Sequence, residues 1–196
     1  TKWLLPLGVY HRTRKGFGLM YCPLCLKEDD EPYFRKHWRL AFHLICDRHG
    51  TLMCDRCPSC GAAVVFFRRE LGRRSEIDGG EITLCHACGF DLRFAPAFDP
   101  PAPDGQVLAM LRSLIMFRDL GWWFAGTRHV AYSHLYLDVL HHLAALLGSR
   151  KGQKLREEVE QRTGCILPEP SGGNIKLEMR PFWERYWMVL LAFWLL

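Results

Sequence analysis

The sequence lacks several patterns that mark common classes of protein. It has no run of about 18 apolar residues, so we expect no membrane-spanning helix and no membrane partner. It has neither a Gly-rich phosphate loop nor a GxSxG nucleophile elbow, and its carboxylates are not spaced to hold a pair of metal ions. We therefore predict that the protein is not an enzyme.

The composition describes a folded chain of moderate positive charge. Of 196 residues, 49% are hydrophobic and 13% aromatic, which argues against disorder, and the net charge is +5. No secretory signal opens the sequence, and an odd cysteine count of nine does not suit a secreted disulfide framework. We expect a cytoplasmic protein with reduced thiols. Because the sequence does not begin with Met and ends in an apolar run, we also expect it to be a trimmed piece of a longer protein.

The cysteines are arranged in short pairs with the spacing of metal ligands. A CxxC or CxxH turn brings two ligand atoms to one ion, and structural zinc takes four such ligands. Two structural zinc ions are therefore predicted, each bound by two successive pairs. The first group is Cys22, Cys25, Cys46 and His49, and the second is Cys57, Cys60, Cys85 and Cys88.

Other interpretations of these cysteines remain open at this stage. Cys54 lies three residues before Cys57 and could replace Cys60 as its partner, although Gly61 after Cys60 favours the Cys57/Cys60 pair. Buried free thiols, a redox CxxC and a catalytic zinc site are weaker alternatives, because none of them explains four pairs in order. We expect His43 to be a partly buried helix residue and Cys165 an isolated buried thiol.

A proline-rich stretch divides the chain. We predict a small zinc-bound α+β module with two zinc-ribbon or zinc-knuckle sites over residues 1–95, a linker over 96–104, and an all-α helical domain over 105–196. The pattern predicts helices from Asp104 to Gly121 and from Ser133 to Gly148, a third over about 153–163, and a fourth from Pro181 to Leu196.

The helical half leaves two further questions. Its second and third helices could form a helix-turn-helix, although the charges of the third helix are balanced, which does not suit a DNA-reading element. The last helix is apolar on nearly every face, so it must be buried, dimeric or covered by residues that this chain lacks.

Basic residues beside aromatic ones are candidates for contact with nucleic acid or a protein partner. The alternative is an ordinary solvated surface. The candidates fall in two groups, Arg12, Arg14 and Lys15 near the start of the chain and Arg35, Lys36 and Arg39 around Trp38.

Many positions beyond the metal ligands resemble the TniQ family. The similarity extends over about residues 3–95 and includes positions that bind no metal. It is carried by Leu5-Pro6, Val9-Tyr10-His11-Arg12, Tyr21-Cys22-Pro23-x-Cys25-Leu26, Tyr33-x-Arg35-x-x-Trp38-Arg39-Leu40, Cys46-x-x-His49-Gly50, Cys57-Pro58-x-Cys60-Gly61 and Cys85-x-x-Cys88-Gly89-x-Asp91-Leu92.

The resemblance implies a role in bacterial DNA transposition. TniQ-like proteins act as adaptors that help to choose the target site. They link a target recogniser, either a DNA site or a guide-RNA CRISPR effector, to an AAA+ ATPase and the transposase, in some cases as dimers. From the resemblance we expect the AAA+ regulator and DNA or the CRISPR effector complex as partners, and a homodimer is a further expectation. The alternative is a stand-alone zinc-ribbon protein that binds DNA and regulates it directly.

Overall fold

The computed structural model describes residues 2–6, 17–65, 81–101, 104–125, 128–130, 132–164, 169–171 and 175–196. The chain divides into two compact units, and each is described by itself. The cysteine-rich unit comprises Leu5–Pro100, and the helical unit comprises Thr1–Leu4 together with Pro101–Leu196. The division after Pro100 falls within the predicted linker, whereas the first four residues group with the helical unit and not with the predicted 1–95 domain.

The cysteine-rich unit contains little regular structure. Its described residues form one short helix, α1 (Pro23–Glu28), and 3₁₀ helices at Lys36–Arg39 and Leu92–Phe94. Its described residues form no strand, so the α+β prediction holds only in part. Isolated antiparallel bridges join the loops instead, at Tyr21/Cys54, Ile45/Leu52, Arg56/Ala63 and Leu84/Asp91.

Large side chains form a small core in this unit. Trp38, Tyr21 and Leu44 are completely buried, and the backbone N–H of Met20 donates to the carbonyl of Trp38 at 3.2 Å. With so few regular elements, this core offers a limited apolar area to offset the entropy of ordering the loops.

The described part of the helical unit forms four α-helices and one short hairpin. The hairpin was not predicted, and it places the two strands of the described chain in the half that was expected to be all-α. In chain order the elements are α2 (Asp104–Asp119), β1 (Trp123–Ala125), β2 (Arg128–Val130), α3 (Ser133–Leu147), α4 (Gln153–Thr163) and α5 (Phe182–Trp194), with 3₁₀ helices at Arg150–Gly152 and Leu177–Met179.

The end of α3 agrees with the sequence prediction, but for a different reason. Gly148 does not adopt the left-handed conformation that often ends a helix, since its φ is −82°. A Cβ atom at this position would lie 2.7 Å from Cε of Met188. The glycine therefore permits a close approach of α5 to the end of α3.

Some apolar residues of α2 and α3 point outward. Leu108 on α2 and Val139 on α3 are 46% and 48% exposed. Both helices carry apolar residues over more than one stripe, so spacing alone does not determine the buried side. The face of α2 that is buried consists of Val107, Met110, Ser113, Leu114 and Phe117.

Helix α5 forms the centre of the helical unit. It contacts both α2 and α3, and Tyr186, Val189 and Leu190 are almost completely buried. Of the three explanations for its apolar surface, burial within its own unit is therefore correct for most of the helix. Among the described residues, no helix is both long enough and apolar enough to cross a bilayer.

Candidate metal centres

Three of the four ligand pairs fold into the same tight turn. In each, the N–H of the first cysteine donates to the carbonyl five residues later, and the N–H of the following glycine donates back to the cysteine carbonyl, at 2.8–2.9 Å. The glycines Gly50, Gly61 and Gly89 all have φ near +70°, at 67°, 71° and 76°. Glycine suits these positions because this region of φ is strained for other residues.

The fourth pair lies at the start of a helix. Cys22 is the N-cap of α1, Pro23 occupies its first turn, and the N–H of Leu26 donates to the Cys22 carbonyl at 3.1 Å. Proline suits this position because its missing N–H would have no partner within the helix. The helix turn then places Cys25 on the same side as Cys22.

The structure brings the first predicted ligand group together with tetrahedral spacing. Nδ1 of His49 lies 3.4, 3.3 and 3.5 Å from the sulfurs of Cys22, Cys25 and Cys46, and the sulfurs of Cys25 and Cys46 are 3.6 Å apart. Around a tetrahedral zinc ion, S···N and S···S separations would be about 3.6 and 3.8 Å. The four atoms could therefore hold one metal ion with little rearrangement.

A carboxylate that sequence reasoning missed supports this group. Nε2 of His49 lies 2.9 Å from Glu28, which also accepts from Arg48 at 3.2 Å. This contact would keep the proton on Nε2 and leave Nδ1 free to bind a metal, the arrangement common to metal-bound histidines. Glu28 is the first residue of an acidic run that continues to Glu31. Its role depends on a histidine 21 residues later in the chain, which no local pattern reveals.

The second predicted group also converges, closer to the surface. The sulfurs of Cys57 and Cys88, and those of Cys60 and Cys85, are each 3.7 Å apart, close to the tetrahedral value. Cys60 and Cys88 are exposed, whereas Cys57 and Cys85 are buried. The four sulfurs could hold a second metal ion.

The crowding of thiols in the first group favours a bound cation. A hydrogen bond with Cys46 lowers the pKa of Cys22 to about 5, and the same bond raises the pKa of Cys46. Burial, aided by the charge of Cys22, raises the pKa of Cys25 to about 11. The protein alone therefore stabilises one thiolate at the expense of its neighbours, whereas a divalent cation would stabilise all three.

The structure also decides between the alternative pairings. Cys54 lies outside both groups, and burial raises the pKa of its thiol to about 12, so it stays protonated. Its N–H and carbonyl pair with those of Tyr21, both at 2.8 Å. His43 is buried, but it lies in an irregular segment and not in the expected helix. Cys165 lies outside the described residues.

The basic residues proposed for nucleic-acid contact differ in whether the structure describes them and in whether their charges are already paired. Arg12, Arg14 and Lys15 lie outside the described residues. The Arg35 guanidinium binds Asp29 at 2.9 Å and lies 4.9 Å from the Trp38 ring, so its charge is already engaged. Arg39 is half-buried and donates to the Leu5 carbonyl at 3.3 Å, and Lys36 is exposed.

A basic concavity in the helical unit was not predicted. Lys2, Arg150, Lys151 and Lys176 line an open cavity of about 960 Å³, which we call the basic groove. Arg150, Lys151 and Lys176 are exposed and form no ion pair with another described residue. The side chains come from three separate segments, which is why the sequence did not reveal the groove.

The comparison with protein families agrees with the first half of this unit. The TniQ family model matches residues 1–53, which contain the whole of the first ligand group. The expected resemblance extended to residue 95, so the second ligand group lies beyond the matched segment. Neither a curated protein nor a solved structure matches the chain.

The match and the first ligand group coincide in one segment. Residues 1–53, which match the TniQ family model, contain all four ligands of that group. Over this segment the chain is similar to the TniQ family, and the match supports membership of it.

Proposed function

We propose that this protein is a non-catalytic adaptor for target-site selection in bacterial DNA transposition, acting in the cytoplasm. It would link a target recogniser to an AAA+ ATPase regulator and thereby to the transposase. The observation that carries the proposal is the TniQ match over residues 1–53, which coincides with a complete metal-ligand group.

The two cysteine groups would hold zinc as structural ions. Thiolate and imidazole ligands at tetrahedral spacing suit Zn²⁺, and neither group leaves a ligand position open for substrate. The described residues of this unit form only short helices and isolated bridges, so metal binding would supply much of its folding free energy, on the order of 10 kcal/mol per site. Zinc would thus fix the surface that partners recognise.

The basic groove supports contact with a phosphate backbone. Arg150, Lys151 and Lys176 are exposed in it without an ion pair to another described residue, whereas Lys2 is paired with Asp138 at 3.0 Å. A concave basic surface concentrates a polyanion. By contrast, Arg162 on α4 is paired with Glu158 at 2.6 Å, and Arg156 on the same helix donates to the Leu147 carbonyl at 3.3 Å. A contact made through phosphates would position DNA or guide RNA without reading its sequence.

The first test measures binding of the zinc-loaded full chain to random and defined DNA duplexes over a salt series. We expect weak, sequence-independent binding that decreases steeply with salt. Replacing Lys151 and Lys176 with alanine should reduce the slope of log K against log salt by about 2, one phosphate contact each. The control is Lys154→Ala, which removes an exposed lysine outside the groove and should leave the slope unchanged.

The adaptor role needs a second measurement with its partners. With the AAA+ ATPase, DNA and the target recogniser present, the full chain should increase loading of the ATPase at the target. Equal loading with and without this protein would refute the adaptor role. A salt-resistant preference for one duplex would instead show that this protein reads the site itself.

A further inference from the structure

Three metal-ligating side chains outside both cysteine groups meet in the cysteine-rich unit. One ligand atom from each of His37, His43 and Asp47 lies within 4.8 Å of the other two. We propose that these residues bind a third divalent transition-metal ion. This inference goes beyond the adaptor function and does not depend on it.

The local fold brings the three residues together from separate turns. His37 belongs to the 3₁₀ helix Lys36–Arg39, which ends where the N–H of Leu40 donates to the His37 carbonyl at 3.0 Å. The chain reverses immediately, with the N–H of His43 donating to the Leu40 carbonyl at 2.9 Å. The two imidazole rings then lie 4.7 Å apart between centroids, inclined at 64°.

Asp47 completes the set because of the metal-binding turn itself. It directly follows Cys46, in the turn that carries Cys46 and His49. Zinc in the first group would fix this turn, and with it the position of the Asp47 carboxylate relative to the two histidines. Binding of the first ion would therefore also stabilise the third site.

Burial suits a metal site with one open position. His43 is 5% exposed, whereas His37 and Asp47 are partly exposed. Two imidazoles and a carboxylate are ligands that zinc and cobalt accept, and water could occupy the fourth position from the exposed side. The His37 ring lies nearly perpendicular to the ring of buried Trp38, with centroids 6.5 Å apart, which limits water on that side.

The charges of the neighbouring groups favour the same ion. A divalent ion bound by three thiolates and the neutral His49 carries a net negative charge, because the thiolates outnumber the positive charges of the ion. A divalent ion bound by Asp47 and two neutral imidazoles carries a net positive charge. The two sites adjoin in the chain at Cys46 and Asp47, so each would stabilise the other.

The experiment counts metal ions in the full chain after saturation with zinc and removal of free metal. We expect three ions per chain, and two in His37→Gln, because glutamine cannot replace the imidazole as a ligand. The control is His142→Gln, which changes an exposed histidine on α3 and should keep three. His37 is only half-buried, so its variant remains informative if His43→Gln fails to fold.

Cobalt substitution provides a readout specific to the ligand type. Cobalt bound by thiolates absorbs strongly in the near ultraviolet through sulfur-to-metal charge transfer, whereas a site of nitrogen and oxygen ligands does not. His37→Gln should therefore lose one cobalt ion while the sulfur bands keep their intensity. The proposal would be overturned if the unmodified chain bound only two ions, or if His37→Gln still bound three. It would also be overturned if loss of the third cobalt ion weakened the sulfur-to-metal bands.

Discussion

Arg180 and Glu184 form an ion pair inside the helical unit. Their charged atoms lie 2.8 Å apart, and the two side chains are 3% and 8% exposed. Arg180 also donates to the Gly148 carbonyl at 2.7 Å, and Glu184 accepts from the N–H and the hydroxyl of Ser171. The pair therefore links α5 to the end of α3 and to the segment around Ser171.

Replacing Glu184 with glutamine should strongly destabilise the helical unit. The change leaves the Arg180 guanidinium buried without its counter-charge, which typically costs about 3–5 kcal/mol. For a unit of roughly 100 residues, each kcal/mol lowers the unfolding temperature by about 4–8 °C, so a decrease of more than about 12 °C is expected. The matched control is Arg162→Gln, which breaks an ion pair whose side chains are 64% and 56% exposed and should cost less than about 1 kcal/mol.

Thermal unfolding followed by tryptophan fluorescence suits this test, because all tryptophans except Trp38 lie in the helical unit. The double variant Arg180→Met/Glu184→Met should be less destabilised than the sum of its single changes, since it leaves no unpaired charge. Two results would refute the argument that each buried charge needs the other as its counter-charge. One is a decrease in the free energy of unfolding below about 1 kcal/mol in Glu184→Gln, and the other is a double variant whose decrease equals the sum of the two single ones.

Three further changes test the metal centres and the helical unit. Gly61→Ala should destabilise the second cysteine group by about 1–2 kcal/mol. A Cβ atom at Gly61 meets nothing within 4 Å, so this cost comes from the positive φ alone. The control Gly105→Ala lies within a helix and is equally open, so chemical unfolding should show no loss of stability. Glu28→Gln should weaken metal binding by the first group about 10–100-fold in a chelator competition, with the second group unchanged. Burial opposes ionisation of Glu178, but backbone N–H groups and His141 outweigh it and lower its pKa. The resulting stabilisation is present above about pH 4.3 and is lost as pH decreases through the lowered pKa, so Glu178→Gln should flatten acid unfolding there.

The sequence predicted what local spacing determines. The ligand pairs and the glycine that follows three of them are fixed within five residues, so each turn could be recognised without knowing the rest of the fold. The bounds of α3 were predicted from its end residues Ser133 and Gly148. The same local reasoning could not show that Gly148 is required for contact with Met188, 40 residues further along the chain.

What the sequence did not predict depends on distant parts of the chain. The hairpin of β1 and β2 has strands of three residues, too short for a clear alternation of apolar and polar positions. The partnership of Glu28 with His49 and the meeting of His37 with Asp47 join residues that share no motif. The basic groove likewise combines side chains from three segments, including the start of the chain.

The family match includes the first cysteine group but not the second. The first lies wholly within residues 1–53 and combines a helix start with one metal-binding turn, whereas the second lies beyond it and consists of two such turns. Each turn closes through its own backbone hydrogen bonds, so the second group can form without altering the first. The backbone pairing of Tyr21 with Cys54 nevertheless joins the segments across the end of the match. Removal of metal from the second group should therefore leave residues 1–53 folded. Removal of metal from the first group should break the backbone pairing of Tyr21 with Cys54, which joins the two segments.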